Sequence, residues 1–196
     1  MLRLLLVFSL LLTLLSCSST SKTRVNAGNI KSDIALYKEG MKFLKAKDFE
    51  NAVEVFTELE IVHPYSNFSS KSQLMSGFAQ YMSNEYEEAI LTLTKFIELN
   101  PDHESIPYAM YLKAYSYYER MPAVNFDQRT SEKAIDEFKE LMNKFPKSRY
   151  SKKARLHLNT LNNHLAAREI EIAKFYQSQG FYSVSYTHLR AHETPC

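Results

Sequence analysis

The sequence predicts an all-α solenoid of stacked helix-turn-helix units, and three observations predict it. One pattern is written twice at a fixed offset of 37 residues: Gly40, Phe49, Ala52, Phe56, Leu59 and Pro64 recur as Gly77, Tyr86, Ala89, Leu93, Phe96 and Pro101. A period of that size belongs to stacked supersecondary units rather than to a single globular core. Only 4 Gly and 6 Pro occur in 196 residues, and no sustained alternation of apolar and polar residues is present, which argues against a β architecture. The third observation is the division of labour in the pattern. A small residue (Gly40, Gly77) lets two helices approach closely, a second (Ala52, Ala89) does so from the partner helix, and the proline closes the unit. That is the logic of the roughly 34-residue tetratricopeptide repeat, with about three extra residues in the connection.

Residues 1–16 read as a secretory signal. Arg3 supplies the positive start, and Leu4 to Leu15 is an apolar run too short to span a bilayer comfortably. The run ends Leu14-Leu15-Ser16-Cys17, which resembles the bacterial lipobox. That resemblance implies a diacylglycerol on the Cys17 sulfur and cleavage that leaves Cys17 as the first mature residue. Several acyl chains at one residue hold a protein stably at a membrane, since each buried methylene contributes roughly 0.8 kcal/mol. Ser rather than Asp at position 18 implies the outer membrane by the bacterial sorting pattern. Residues 17–31, rich in Ser, Thr, Asn and Lys, read as a lipidated flexible tether. The two cysteines, Cys17 and Cys196, lie at opposite ends and make a poor disulfide framework.

The repeat domain is expected over residues 32–182, with three full repeats and part of a fourth. The first has helix A from about Asp33 to Ala46 and helix B from about Phe49 to Val62; the second has helix A from about Ser69 to Ser83 and helix B from about Glu85 to Leu99. Pro64 and Pro101 make each stop definite because proline cannot continue the helix it follows. The third helix A, about Ile106 to Arg120, keeps step by placing Ala114 a further 37 residues after Gly77. The helix B markers Ala134, Phe138, Leu141 and Pro146 then arrive 45 residues after their second-repeat counterparts, so eight residues are inserted between the two helices. The insertion falls around Met121 to Thr130 and should protrude as a loop.

From Ser151 to about Ser178 there is no Pro or Gly, and apolar residues recur at helical spacing, giving one long helix or two nearly continuous ones. Gly180, Phe181 and Tyr182 then read as the turn of a fourth repeat. The remainder, SVSYTHLRAHETPC, lacks a convincing amphipathic stripe. Residues 183–196 are expected to be a truncated or non-native tail, foreign from about Val184 onward.

The segments LLSC (14–17), HPYS (63–66), IPYAMYLKAYSYYER (106–120), FDQRTSEKAIDEF (126–138), FPKSRYSKKARLHL (145–158) and HLAAREIEIAKFYQSQGFY (164–182) together resemble the BamD family. These are tetratricopeptide lipoproteins of the bacterial β-barrel assembly machinery, and the chain is more similar to alphaproteobacterial versions. The resemblance implies a lipid anchor in the inner leaflet of the outer membrane, facing the periplasm. It also implies a scaffold role in β-barrel insertion. Implied partners are the barrel-inserting protein with periplasmic domains, other assembly lipoproteins, and unfolded outer-membrane clients recognised by a C-terminal targeting segment. The family has about five repeats, so its C-terminal docking surface is largely absent from this sequence.

In a tetratricopeptide repeat the second, fifth, ninth and twelfth positions of helix A face the concave groove. They read Ile34, Tyr37, Met41 and Leu44, then Lys71, Leu74, Phe78 and Tyr81, then Tyr108, Tyr111, Tyr115 and Tyr118. Tyrosine offers a wide apolar face, low entropic cost and a hydroxyl handle, which suits capture of an extended peptide with alternate apolar side chains. The candidate binding residues are therefore Tyr37, Met41, Phe78, Tyr81, Tyr108, Tyr111, Tyr115 and Tyr118. The competing reading is that these rings only pack neighbouring helices.

Lys144, Lys147, Arg149, Lys152, Lys153 and Arg155 form a basic run that suits either an acidic partner or anionic headgroups, or is simply a solvated helix start. The net charge of +2 gives no indication of nucleic-acid binding. His157 and His164 share a helix face, but zinc wants closer pairs and further ligands, so no metal or other cofactor is expected. No nucleophile motif or phosphate loop is present, and Glu87 and Glu88 sit on an exposed face; no enzymatic activity is expected. The competing functional readings are another repeat lipoprotein, serving pilus secretins or cell-wall synthases, and a lipid-anchored hydrolase with an unrecognised site.

Overall fold

A computed structural model of the chain describes residues 31–120 and 129–190. The chain divides into two units between Ile30 and Lys31, and the fold is that of the second. The signal, Cys17, almost all of the tether, most of the third-repeat insertion and residues 191–196 lie outside the described residues.

Among the described residues the secondary structure is helical throughout: α1 Asp33–Lys45, α2 Phe49–Val62, α3 Ser69–Met82, α4 Tyr86–Leu99, α5 Ile106–Glu119, α6 Arg129–Lys144, α7 Arg149–Ser178 and α8 Tyr182–Arg190. Arg129 and Thr130, expected in the inserted loop, are already helical. The long apolar-periodic stretch is one uninterrupted helix of 30 residues. None of these helices is both long and apolar enough to cross a membrane.

The turns explain why the repeats keep register. After α1 the backbone N–H of Lys47 bonds to Leu44 O at 3.1 Å and that of Asp48 reaches back to Phe43 O at 3.0 Å. Lys47 adopts φ 60°. This is the Schellman arrangement, a left-handed residue that satisfies two orphaned carbonyls. It recurs at Asn84 (φ 65°) with Glu85 bonded to Gln80 O, and at Gly180 (φ 82°) with Phe181 bonded to Tyr176 O.

That third turn is why α8 forms where the sequence shows no clear stripe. The turn folds the chain back on α7, and His188 Nδ1 then meets Glu169 Oε2 at 2.7 Å while its ring stacks on Tyr176 at 5.8 Å. Only Ser185 of α8 is buried, so these polar and ring contacts substitute for an apolar face.

Packing within a repeat follows the small residues. A Cβ on Gly40 would lie 2.5 Å from the Phe56 ring, and one on Gly77 would lie 2.9 Å from Leu93. The B helices each bury one Phe and one Leu, in an order exchanged only in α4: Phe56 and Leu59, Leu93 and Phe96, Phe138 and Leu141 are all fully buried. Exchange keeps the volume while changing its shape, which cores tolerate.

Each helix packs on the next in sequence, and the odd helices also meet one another: α1 on α3, α3 on α5, α5 on α7. Among the described residues no two even helices do so at a Cα separation of 8 Å. Lys95 and Glu60 join α4 to α2 only through long side chains, at 3.3 Å. The odd helices therefore form the tighter, inner wall of the solenoid, which is the geometric basis of a groove.

Candidate functional site

The inner wall is richest in rings where α5 meets α3 and α7. On α5 the residues Tyr108, Tyr111, Tyr115 and Tyr118 recur every three or four positions and so share one stripe. Ile106, Ala109, Met110, Leu112 and Ala114 on its other faces are buried. The four stripe tyrosines are half-buried, each with one side on the core.

The rings form a continuous chain. Tyr86 lies 5.7 Å from Tyr81, Tyr81 lies 5.8 Å from Tyr115, and Tyr115 stacks on Tyr111 at 5.7 Å and on Tyr118 at 5.4 Å. From α7, Tyr150 approaches Tyr108 at 5.3 Å and Tyr111 at 5.6 Å. His157 lies 4.8 Å from Tyr115 and 5.0 Å from Tyr118, stacks on Phe138 at 5.4 Å, and is hydrogen-bonded through Nε2 to the Tyr111 hydroxyl at 3.1 Å.

Of the expected groove residues, the structure brings together Tyr81, Tyr108, Tyr111, Tyr115 and Tyr118. Tyr37 instead lies against Phe68 at 4.9 Å and Phe56 at 6.1 Å, and Met41 packs on the cluster of Ala52, Phe56 and Ala79. Phe78 packs on the larger core. Leu74, also counted as groove-facing, is a core residue with 4% exposure.

Tyr150 and His157 were not among the groove residues read from the sequence, yet a signal for them existed. Tyr150, Lys153 and His157 follow Tyr108, Tyr111 and Tyr115 by a constant 42 residues, so the groove register simply continues onto α7.

Burial is the main electrostatic influence on these rings. It pushes the Tyr81 and Tyr108 phenols up to about 12 and raises those of Tyr115, Tyr111 and Tyr86, with the Glu119 carboxylate adding to all but Tyr108. All are neutral hydrogen-bond donors near neutral pH. Burial lowers His157 and Lys153 adds to this, against the opposing pull of Glu119. The ring at the centre of the cluster is thus held toward its uncharged form.

The basic run does not stay together. Lys144 pairs with Glu140 at 2.6 Å, whereas Arg149 and Lys153 turn to the aromatic face, 4.8 Å from the Tyr150 ring and 5.9 Å from the Tyr111 ring. Lys147, Lys152 and Arg155 are exposed without an ion pair among the described residues. Beside Arg149 a cleft of about 380 Å³ opens between the starts of α5 and α7, lined among others by Glu104, Ser105, Tyr108, Ser148 and Tyr150.

A family model described as YfiO, outer membrane lipoprotein, matches residues 30–187. The chain belongs to this family. It is 39% identical over 145 residues to the outer membrane protein assembly factor BamD of Caulobacter vibrioides, an alignment covering 74% of this chain and 48% of that protein. It is 35% identical over 156 residues to the BamD of Rickettsia prowazekii, covering 79% and 62%. The chain thus spans about half to three-fifths of the length of these curated relatives. The resemblance drawn from the sequence segments is confirmed, including its alphaproteobacterial leaning. Among solved structures, the tetratricopeptide TPR2AB domain of yeast Sti1 in its pHSP90 complex superposes with a TM-score of 0.57 at 20% identity, covering 80% of this chain and 62% of that one. The fold is a tetratricopeptide solenoid, as the 37-residue repeat predicts.

Proposed function

We propose that this YfiO-family chain is a non-enzymatic scaffold in outer-membrane β-barrel assembly. It is anchored by lipid at Cys17 to the periplasmic face of the outer membrane and binds client peptides along the aromatic inner wall. The assembly role is supported by the family and by its BamD relatives, which are outer membrane protein assembly factors. The observation that carries the binding reading is the continuous run of rings from Tyr86 to His157, at separations of 4.8 to 5.8 Å.

Such a wall offers flat apolar faces and phenolic donors at positions that are already ordered by packing. An extended client segment with alternate aromatic or aliphatic side chains lays those side chains on the rings, and the hydroxyls meet its backbone. The side chains are half-buried before binding, so little rotamer freedom remains to be lost. The captured segment is then presented to the barrel-inserting partner.

Photo-crosslinking from position 115 in cells tests both parts at once. Recovery of unfolded barrel proteins is the expected result. Adducts dominated by a secretin or a cell-wall synthase would replace the assembly reading with the other lipoprotein role, and an absence of peptide adducts would remove the groove from binding.

A further inference from the structure

The cleft beside Arg149 carries a guanidinium that has no ion-pair partner among the described residues. The Arg149 guanidinium donates from Nη2 to the Tyr150 hydroxyl at 2.7 Å and rests on the Tyr150 ring. Among the described residues no carboxylate lies within 4.0 Å of it, and Glu104, also lining the cleft, forms no ion pair with it. The Tyr108 hydroxyl has no hydrogen-bond partner among the described residues. One turn further along α7, Lys153 adds a second cation at the Tyr111 ring. At the opposite end of the tyrosine stripe stands Glu119, whose carboxylate acts on Tyr115 and His157.

The stripe therefore has a positive and a negative end. They are separated by the α5 length from Tyr108 to Glu119, about 16 Å at the helical rise, which an extended chain covers in about five residues. We propose that the cleft is a carboxylate subsite that sets the direction of a bound peptide. The peptide's acid group enters between Arg149, Tyr108 and Tyr150, and its chain runs over Tyr111 and Tyr115 toward Glu119. A guanidinium flanked by two phenols supplies the donors a carboxylate accepts. The subsite rests on the peptide-capture reading and adds to it a ligand chemistry and a polarity.

The test uses the full chain, purified in detergent, and fluorescein-labelled ten-residue peptides with Phe or Tyr at alternate positions and no acidic side chain. The free-acid peptide should bind about tenfold more tightly than its C-terminal amide, as expected for one charge-assisted contact at a half-open site. In Arg149→Gln the two peptides should bind equally, and Arg149→Lys should restore only part of the difference. An amide peptide with one added Asp separates the two sources: restored affinity assigns the subsite to side-chain acids as well, and unrestored affinity assigns it to chain termini alone. Equal binding of acid and amide to the parent chain, or a difference that survives in Arg149→Gln, overturns the subsite. Should that happen while Tyr115→Ala still abolishes binding, the capture reading stands without it. Absence of binding by every peptide to the parent chain removes both.

Discussion

The first and third repeats carry aromatic side chains at the same register of their leading helices, and the rings end in different environments. In α1, Tyr37 is covered by Phe68, the residue capping the start of α3, and lies against Phe56 beneath it. In α5, the matching Tyr111 lies beside Tyr115 and Tyr150, and the residue capping the start of α7 is Ser148, which lines the cleft. A repeat position specifies the direction in which a side chain leaves its helix. Which neighbours it then meets depends on the residues that the next repeat places above it.

The sharpest way to break this comparison is to remove the buried ring beneath each site. Phe56→Ala and Phe138→Ala should each cost about 3–5 kcal/mol in denaturant unfolding. Only Phe138→Ala should also weaken peptide binding at temperatures where both variants are folded, because Phe138 supports His157 by stacking. Equal losses of binding would mean that the first repeat is part of the site.

A smaller effect is expected from the close approaches. Gly40→Ala should destabilise by about 1–3 kcal/mol, since the rigid Phe56 ring cannot retreat from the new methyl. Gly77→Ala should cost less, because it meets a Leu93 side chain that can change rotamer. Thermal melts of the pair would reverse this order only if Phe56 has room to shift.

The turns give a change of opposite sign. Lys47→Gly should stabilise by about 0.5–1 kcal/mol by relieving the left-handed backbone at φ 60°. Asn84→Gly should do less, since asparagine tolerates that region. A destabilised Lys47→Gly in chemical denaturation would show that the turn is not strained.

The smallest effect is a pH dependence confined to the third and fourth repeats. Burial lowers the His157 pKa from 6.5, so below that value the unfolded chain binds a proton that the folded chain resists. Stability should fall as pH drops from 6.5 toward the folded pKa, and be unaffected by this group above 6.5. His157→Gln should flatten that slope in melts taken from pH 7.5 downward; an unchanged slope would place the titration elsewhere.

Much of this molecule was legible in its sequence because repeats are local. The 37-residue offset, the prolines at 64, 101 and 146, and the glycines facing Phe56 and Leu93 each act within about one unit. The tyrosine stripe on α5 was likewise visible, since helical spacing alone aligns Tyr108, Tyr111, Tyr115 and Tyr118. The amphipathic criterion failed at α8, where a left-handed turn and the Glu169–His188 pair substitute for an apolar face.

The sequence by itself determined the helices, their pairing and the register of side chains on each, because hydrogen-bonded turns and 3.6-residue periodicity are set by near neighbours. Only the tertiary structure decided which rings meet one another. Tyr37 met Phe68, 31 residues away, while Tyr111 met Tyr150 and His157, 39 and 46 residues away, and Arg149 was left beside a cleft. Contacts over such separations depend on how one repeat tilts on the next, and that tilt is set by the summed packing of whole helices.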